Sequence, residues 1–127
     1  MELGPLENRI MEIVWRKRKV DAREIYKELN REKKLAYTTI NTTLTRLCEK
    51  NLLKRKAIKG RGGMRYIYTP TKTKRKFQNF VIRKTLDDLL SRFGEVTIQY
   101  FSENLNLSEE EIEMLKRRME ELNERGD

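Results

Sequence analysis

Gly60-Arg61-Gly62-Gly63 divides two short runs, residues 53–59 and 64–69, that read as strands. The glycines supply the positive-φ positions a tight hairpin needs. Tyr66 and Tyr68 alternate with Ile67, and Pro70 closes the second run. Everything before and after this hairpin has helical periodicity, so the hairpin sets the fold. The order is helix, helix, helix, hairpin, which is a helix-turn-helix with a wing.

The three helices before the wing can be placed from their stripes and caps. Leu6, Ile10, Ile13 and Val14 recur at helical spacing, with Pro5 where a first turn tolerates it. Arg16-Lys17-Arg18-Lys19 closes that helix on the favourable side of its dipole. Asp21-x-x-Glu24 resembles a capping box, and Ala22, Ile25 and Leu29 follow it to about Arg31. A third helix runs over residues 37–50, with Ile40, Leu44, Leu47 and Cys48 as its buried stripe and Asn51 as its left-handed stop. Its other face carries Thr38, Thr39, Asn41, Thr42, Thr45 and Arg46. Threonine costs helix propensity, so these short hydroxyls and the amide call for a use. Trp15 is expected to anchor the first helix against the wing or the second helix.

Beyond Pro70 the chain is helical again. One stripe is Ile82, Leu86, Leu89 and Phe93, with Phe77 and Val81 beside it. Gly94 breaks it, and Ile98, Phe101 and Leu105 mark a short second helix. Ser108-x-x-Glu111 caps a third helix, whose Ile112, Leu115, Met119 and Leu122 form a coiled-coil-like seam. The expected fold is mainly α with a small β wing. A winged helix-turn-helix domain spans residues 1–70 and a three-helix region spans 71–127.

Charge narrows the function. The chain of 127 residues carries a formal charge of +9 and no histidine. Residues 1–70 hold 18 basic and 8 acidic groups, whereas residues 95–127 hold 4 and 10. A polyanion, nucleic acid first, should therefore meet the front of the chain. The polar face of the third helix has the chemistry for it. Asparagine pairs with adenine, threonine methyls meet thymine methyls, and Arg46 suits a guanine or a phosphate. Lys54, Lys56, Lys59, Arg61 and Arg65 line the hairpin and suit backbone phosphates. RNA reading would need exposed stacking aromatics, but Tyr66 and Tyr68 share a side of the wing expected to face the core.

Other classes lose ground. Without histidine the most used general base and the commonest metal ligand are gone. Cys48 sits on an inward stripe and gives no case for a redox switch. Glu109-Glu110-Glu111 are ordinary first-turn dipole partners. No enzyme, metal site or cofactor is expected. No apolar run approaches the roughly 18 residues of a membrane span. The opening Met1-Glu2-Leu3-Gly4-Pro5 lacks the pattern of a secretion signal, so a cytoplasmic protein without a membrane partner is expected. A winged helix can also serve as a protein-interaction module in transcription or replication machinery, without a specific operator. That alternative stays open on these residues.

Two stretches resemble a known family. Leu3 to Trp15, LGPLENRIMEIVW, is similar to the opening helix of the penicillinase repressor family, and Leu35 to Leu47, LAYTTINTTLTRL, resembles its recognition-helix signature. Glu49 to Arg55 and Arg65 to Pro70 resemble its wing strands. The resemblance implies a homodimeric transcriptional repressor binding a dyad operator of double-stranded DNA. It places Thr38, Thr39, Asn41, Thr42 and Arg46 on the recognition surface, Arg61 and Arg65 in the wing, and dimerisation in the C-terminal helices. Phe77, Val81, Ile98, Phe101, Ile112, Leu115, Met119 and Leu122 are the expected dimer contacts. Four features depart from the family. Antibiotic-responsive members often carry basic residues at the positions of Thr38 and Asn41, which leaves the operator open. Tyr100-Phe101 stands where those members have a cleavable Asn-Phe pair, which argues against a sensor protease as partner. The C-terminal cysteine cluster of the copper-responsive members is missing. The wing tip, Lys59 to Gly63, is longer and richer in glycine.

Overall fold

A computed structural model describes residues 3–125. Met1 and Glu2, the start of the segment that lacks a secretion signal's pattern, lie outside them. The elements are α1 (Pro5–Lys17), α2 (Ala22–Leu29), α3 (Tyr37–Glu49), β1 (Leu53–Gly60), β2 (Gly63–Pro70), α4 (Lys74–Phe93), α5 (Glu95–Leu105) and α6 (Glu109–Glu124). The fold is mainly helical: three helices, a two-stranded wing, then three more helices. The chain divides into two compact units, the first ending at Phe77 and the second beginning at Gln78.

Local chemistry sets the ends of the first elements. Asp21 accepts from the Glu24 N–H at 2.9 Å, and Glu24 accepts from the Asp21 N–H at 3.2 Å, a complete capping box. Asn51 takes φ 66°. The Leu52 N–H reaches Leu47 O at 2.9 Å and the Asn51 N–H reaches Cys48 O at 3.0 Å. These two bonds make a Schellman stop that turns the chain from α3 into β1. In the hairpin Gly60 pairs with Gly63, and Gly63 has φ 105°, a backbone region glycine enters freely. Val20 adds a bridge to the wing through two bonds with Tyr68, 3.1 and 2.8 Å.

The core of the first unit is Ile10 and Val14 of α1, Ile25 and Leu29 of α2, and Ile40, Leu44 and Leu47 of α3, closed by Leu52, Leu53 and Tyr68. Three side chains sit differently from expectation. Cys48 is only half-buried, and Thr43 takes the inward position, its hydroxyl satisfied by Thr39 O at 2.8 Å. Burial still pushes the Cys48 thiol up, so it stays protonated. Tyr68 is buried but Tyr66 is 43% exposed, because the hairpin runs past the helical core before its tip. Trp15 finds its aromatic partner beyond the wing, on α4. Its ring lies 5.3 Å from Phe77 and its Nε1–H donates to Lys72 O at 3.1 Å.

In the second unit the apolar stripe of α4 is only partly covered. Leu90 is buried, whereas Ile82 is 65% and Phe93 52% exposed. Thr97 Oγ1 donates to Leu89 O at 3.0 Å, and Ile98 is buried beside it. α6 has no fully buried residue, and Ile112, Leu115, Met119 and Leu122 are all half-buried. Arg118 clamps Asp87 through two bonds, 2.8 and 2.6 Å, and reaches Glu121 at 3.1 Å. The guanidinium hydrogen bonds hold the Asp87 carboxyl below its usual range. Its contribution to stability is therefore full above the unfolded carboxyl value of about 3.9 and lost as pH falls through the lower folded value. Wild type should melt at a higher temperature than Asp87→Asn at neutral pH, and the two curves should converge as the acid range is entered and Asp87 takes up its proton in the folded state. Circular dichroism melts across that range check this.

Candidate nucleic-acid interface

α3 places its polar residues by simple spacing. Thr38, Thr42 and Thr45 stand at i, i+4 and i+7, on the face opposite Ile40, Leu44 and Leu47. Thr38, Thr39, Thr42 and Arg46 are exposed, and Asn41 and Thr45 are half-buried. Two of these threonine hydroxyls already have work. Thr42 Oγ1 donates to Thr38 O at 2.9 Å and Thr45 Oγ1 to Asn41 O at 3.0 Å. With those protons committed to the helix, Thr42 and Thr45 offer methyls and acceptor lone pairs outward. Thr38, Thr39, Asn41 and Arg46 remain as side-chain donors on that face. Lys50 does not add to it, because Lys50 Nζ holds Glu7 at 2.7 Å. Burial pushes the Glu7 carboxyl up, but Lys50 and the Gly4 N–H outweigh this and hold it below the usual range.

The wing sorts its cations by strand alternation. Lys54 and Lys56 lie on one face with Ile58, Arg65 and Ile67, while Arg55 and Lys59 share the other with Tyr66 and Tyr68. Lys54, Lys56, Lys59, Arg61 and Arg65 are all exposed. Arg55 lies over the Tyr66 ring at 4.4 Å. Arg65 has a protein partner, Asp21 Oδ2 at 3.0 Å.

A cleft of about 540 Å³ opens between the start of α2, the start of α3 and the wing tip. Asn41, Arg61 and Arg65 reach it, and so do Arg23 and Tyr37, which the sequence did not single out, and Tyr66, which was expected to face the core. Arg23 carried a usable signal, being exposed in the first turn of a helix that opens beside the wing. Tyr37 carried none. Among the described residues no group of histidine, cysteine or acidic side chains could hold a metal ion.

The expected dimer contacts fall into two groups. Phe77 and Ile98 are buried within their own units. Val81, Phe101, Ile112, Leu115, Met119 and Leu122 are half-buried. Val96, Tyr100, Leu105 and Met114, which the sequence did not offer as contacts, are 59–68% exposed. No helix among the described residues is long and apolar enough to cross a membrane.

Comparison with known proteins gives three findings. The family model described as "Penicillinase repressor" matches residues 3–121. A penicillinase repressor of Staphylococcus aureus is 28% identical over 116 residues, covering 91% of this chain and 89% of that protein. A crystal structure of a PadR family transcription regulator from Clostridium difficile aligns with a TM-score of 0.49 and 24% identity, over 71% of this chain and 98% of that one.

Proposed function

The chain belongs to the penicillinase repressor family, a family of transcriptional regulators and not of enzymes, and from that premise we propose that it is a homodimeric repressor of a dyad operator. α3 enters the major groove, where Thr38, Thr39, Asn41, Thr42, Thr45 and Arg46 meet base edges and nearby phosphates. Lys54, Lys56, Lys59 and Arg61 grip flanking backbone. The observation that carries this reading is the cleft, which Asn41 of α3 lines on one side and Arg61 and Arg65 of the wing on the other.

Residues 78–125 are proposed to pair two copies. Support comes from the uncovered apolar surface of this unit, with Ile82, Phe93, Val96 and Met114 more than half exposed. A stable monomer seldom leaves so much apolar surface in water. Two-fold pairing doubles the bases read and fixes the half-site spacing. The acidic excess of this part also keeps it away from the DNA phosphates.

Arg46 gives the test. Arg46→Ala should cost about 1–3 kcal/mol and relax the base preference at one operator position if Arg46 reads a base. Titrations against the selected operator and its single-position variants measure both. A loss of equal size on every sequence would make Arg46 a phosphate contact only.

A further inference from the structure

One carboxylate stands in the cleft between α3 and the wing. Among the described residues that line it, Asp21 is the single acid, beside Arg23, Arg61 and Arg65. Its two oxygens have separate uses. Oδ1 accepts from the Glu24 N–H at 2.9 Å, which caps α2. Oδ2 accepts from Arg65 Nη1 at 3.0 Å, with the Asp21 side chain only 13% exposed.

Arg65 sits on β2, nearer the wing tip than Tyr68. At Tyr68 the wing is held by its two backbone bonds to Val20. Beyond that bridge the hairpin has its own ladder, and a two-stranded hairpin is marginal by itself. The Asp21–Arg65 pair is a second attachment, placed further out. It also masks a charge that would repel a phosphate entering the cleft.

We propose that Asp21 is a positioning residue for DNA binding. Paired with Arg65, it holds the wing tip at the separation from α3 at which the cleft takes the sugar–phosphate backbone of one strand. This rests on the DNA-binding reading above. Arg65 then acts as a strut between α2 and the wing, and the phosphate grip falls to Arg61 and Arg23 at the cleft's mouth.

Simple electrostatics and the strut give opposite signs. Removing an acid from a DNA-facing cleft should tighten binding by charge alone. Losing the strut should weaken it. Asp21→Ser separates these effects from helix capping, because serine still caps α2. The probe is the tightest duplex that the full chain selects from a random-sequence library, titrated at several salt concentrations. Asp21→Ser is expected to bind about three- to tenfold more weakly, two partly exposed pairs being removed per dimer. The slope of log affinity against log salt should become shallower by about 0.9 for each phosphate that the wing no longer neutralises. A purely structural defect would lower the melting temperature and leave that slope alone. Arg65→Gln, which leaves the Asp21 charge unpaired, should bind more weakly still, and adding Asp21→Ser to it should recover part of the affinity. Asp21→Ser binding as tightly as wild type, or more tightly, or with an unchanged slope, overturns the proposal. If the full chain selects no duplex over random DNA, the DNA-binding reading falls and the positioning role falls with it.

Discussion

A chain cut after Phe77 should stay folded and bind its operator about 10²- to 10⁴-fold more weakly than the full chain, the usual gain from joining two binding modules. The cut is placed by packing. It keeps the Trp15–Phe77 contact and the Trp15 bond to Lys72 O, and the core of Ile10, Val14, Ile25, Leu29, Ile40, Leu44 and Leu47 lies wholly on its N-terminal side. A cut after Pro70 would instead strip Trp15 of both partners. The shortened chain should sediment as a monomer, with an unfolding transition of its own. Binding as tight as that of the full chain would remove the dimer from the mechanism.

Salt should have an effect of similar size. Taking ionic strength from about 50 to 200 mM should lower operator affinity about 10³- to 10⁵-fold if each dimer neutralises six to ten phosphates. Lys54, Lys56, Lys59 and Arg61 on two wings supply a number in that range. The wing's two faces refine the expectation. Lys54 and Lys56 point to one side of the hairpin and Lys59 to the other, while Arg61 lines the cleft. Arg61→Gln should therefore flatten the salt slope by the share of about two phosphates per dimer. Lys54→Gln/Lys56→Gln should flatten it by the share of about four phosphates per dimer, because two cations are removed from each wing. Equal slopes for wild type and all variants would take the phosphate grip away from the wing.

What was legible in the sequence was local. The Asp21 cap, the Asn51 stop and the glycine tip depend on residues within a few positions of one another, and each occurs where the pattern put it. The stripe of α3 was legible for the same reason, except that Cys48 is only half-buried and Thr43, which the stripe did not include, is buried. Pairings between distant residues were not legible. Arg65 reads as one more cation on the wing until the fold brings it to Asp21, 44 positions earlier. Arg118 finds Asp87 across 31 positions. Trp15 had an apolar partner to find, but nothing in its neighbourhood distinguishes Phe77 from the wing or α2.

The α4 stripe failed for another reason. Periodicity marks Ile82 and Phe93 as apolar positions, yet burial within the chain went to Leu90 instead. A hydrophobic stripe records that a surface needs covering. It does not say whether the cover comes from the same chain. The exposed apolar residues of the second unit are where the proposed second copy supplies it.

The most direct measurement is selection of bound fragments from the source genome by the full chain at about 150 mM salt, followed by the stoichiometry of the tightest complex. The expected result is a two-fold symmetric site with half-sites one helical turn or a multiple apart, occupied by two chains. A chain that binds every fragment alike, or that binds its best site as one copy, would contradict the central claim.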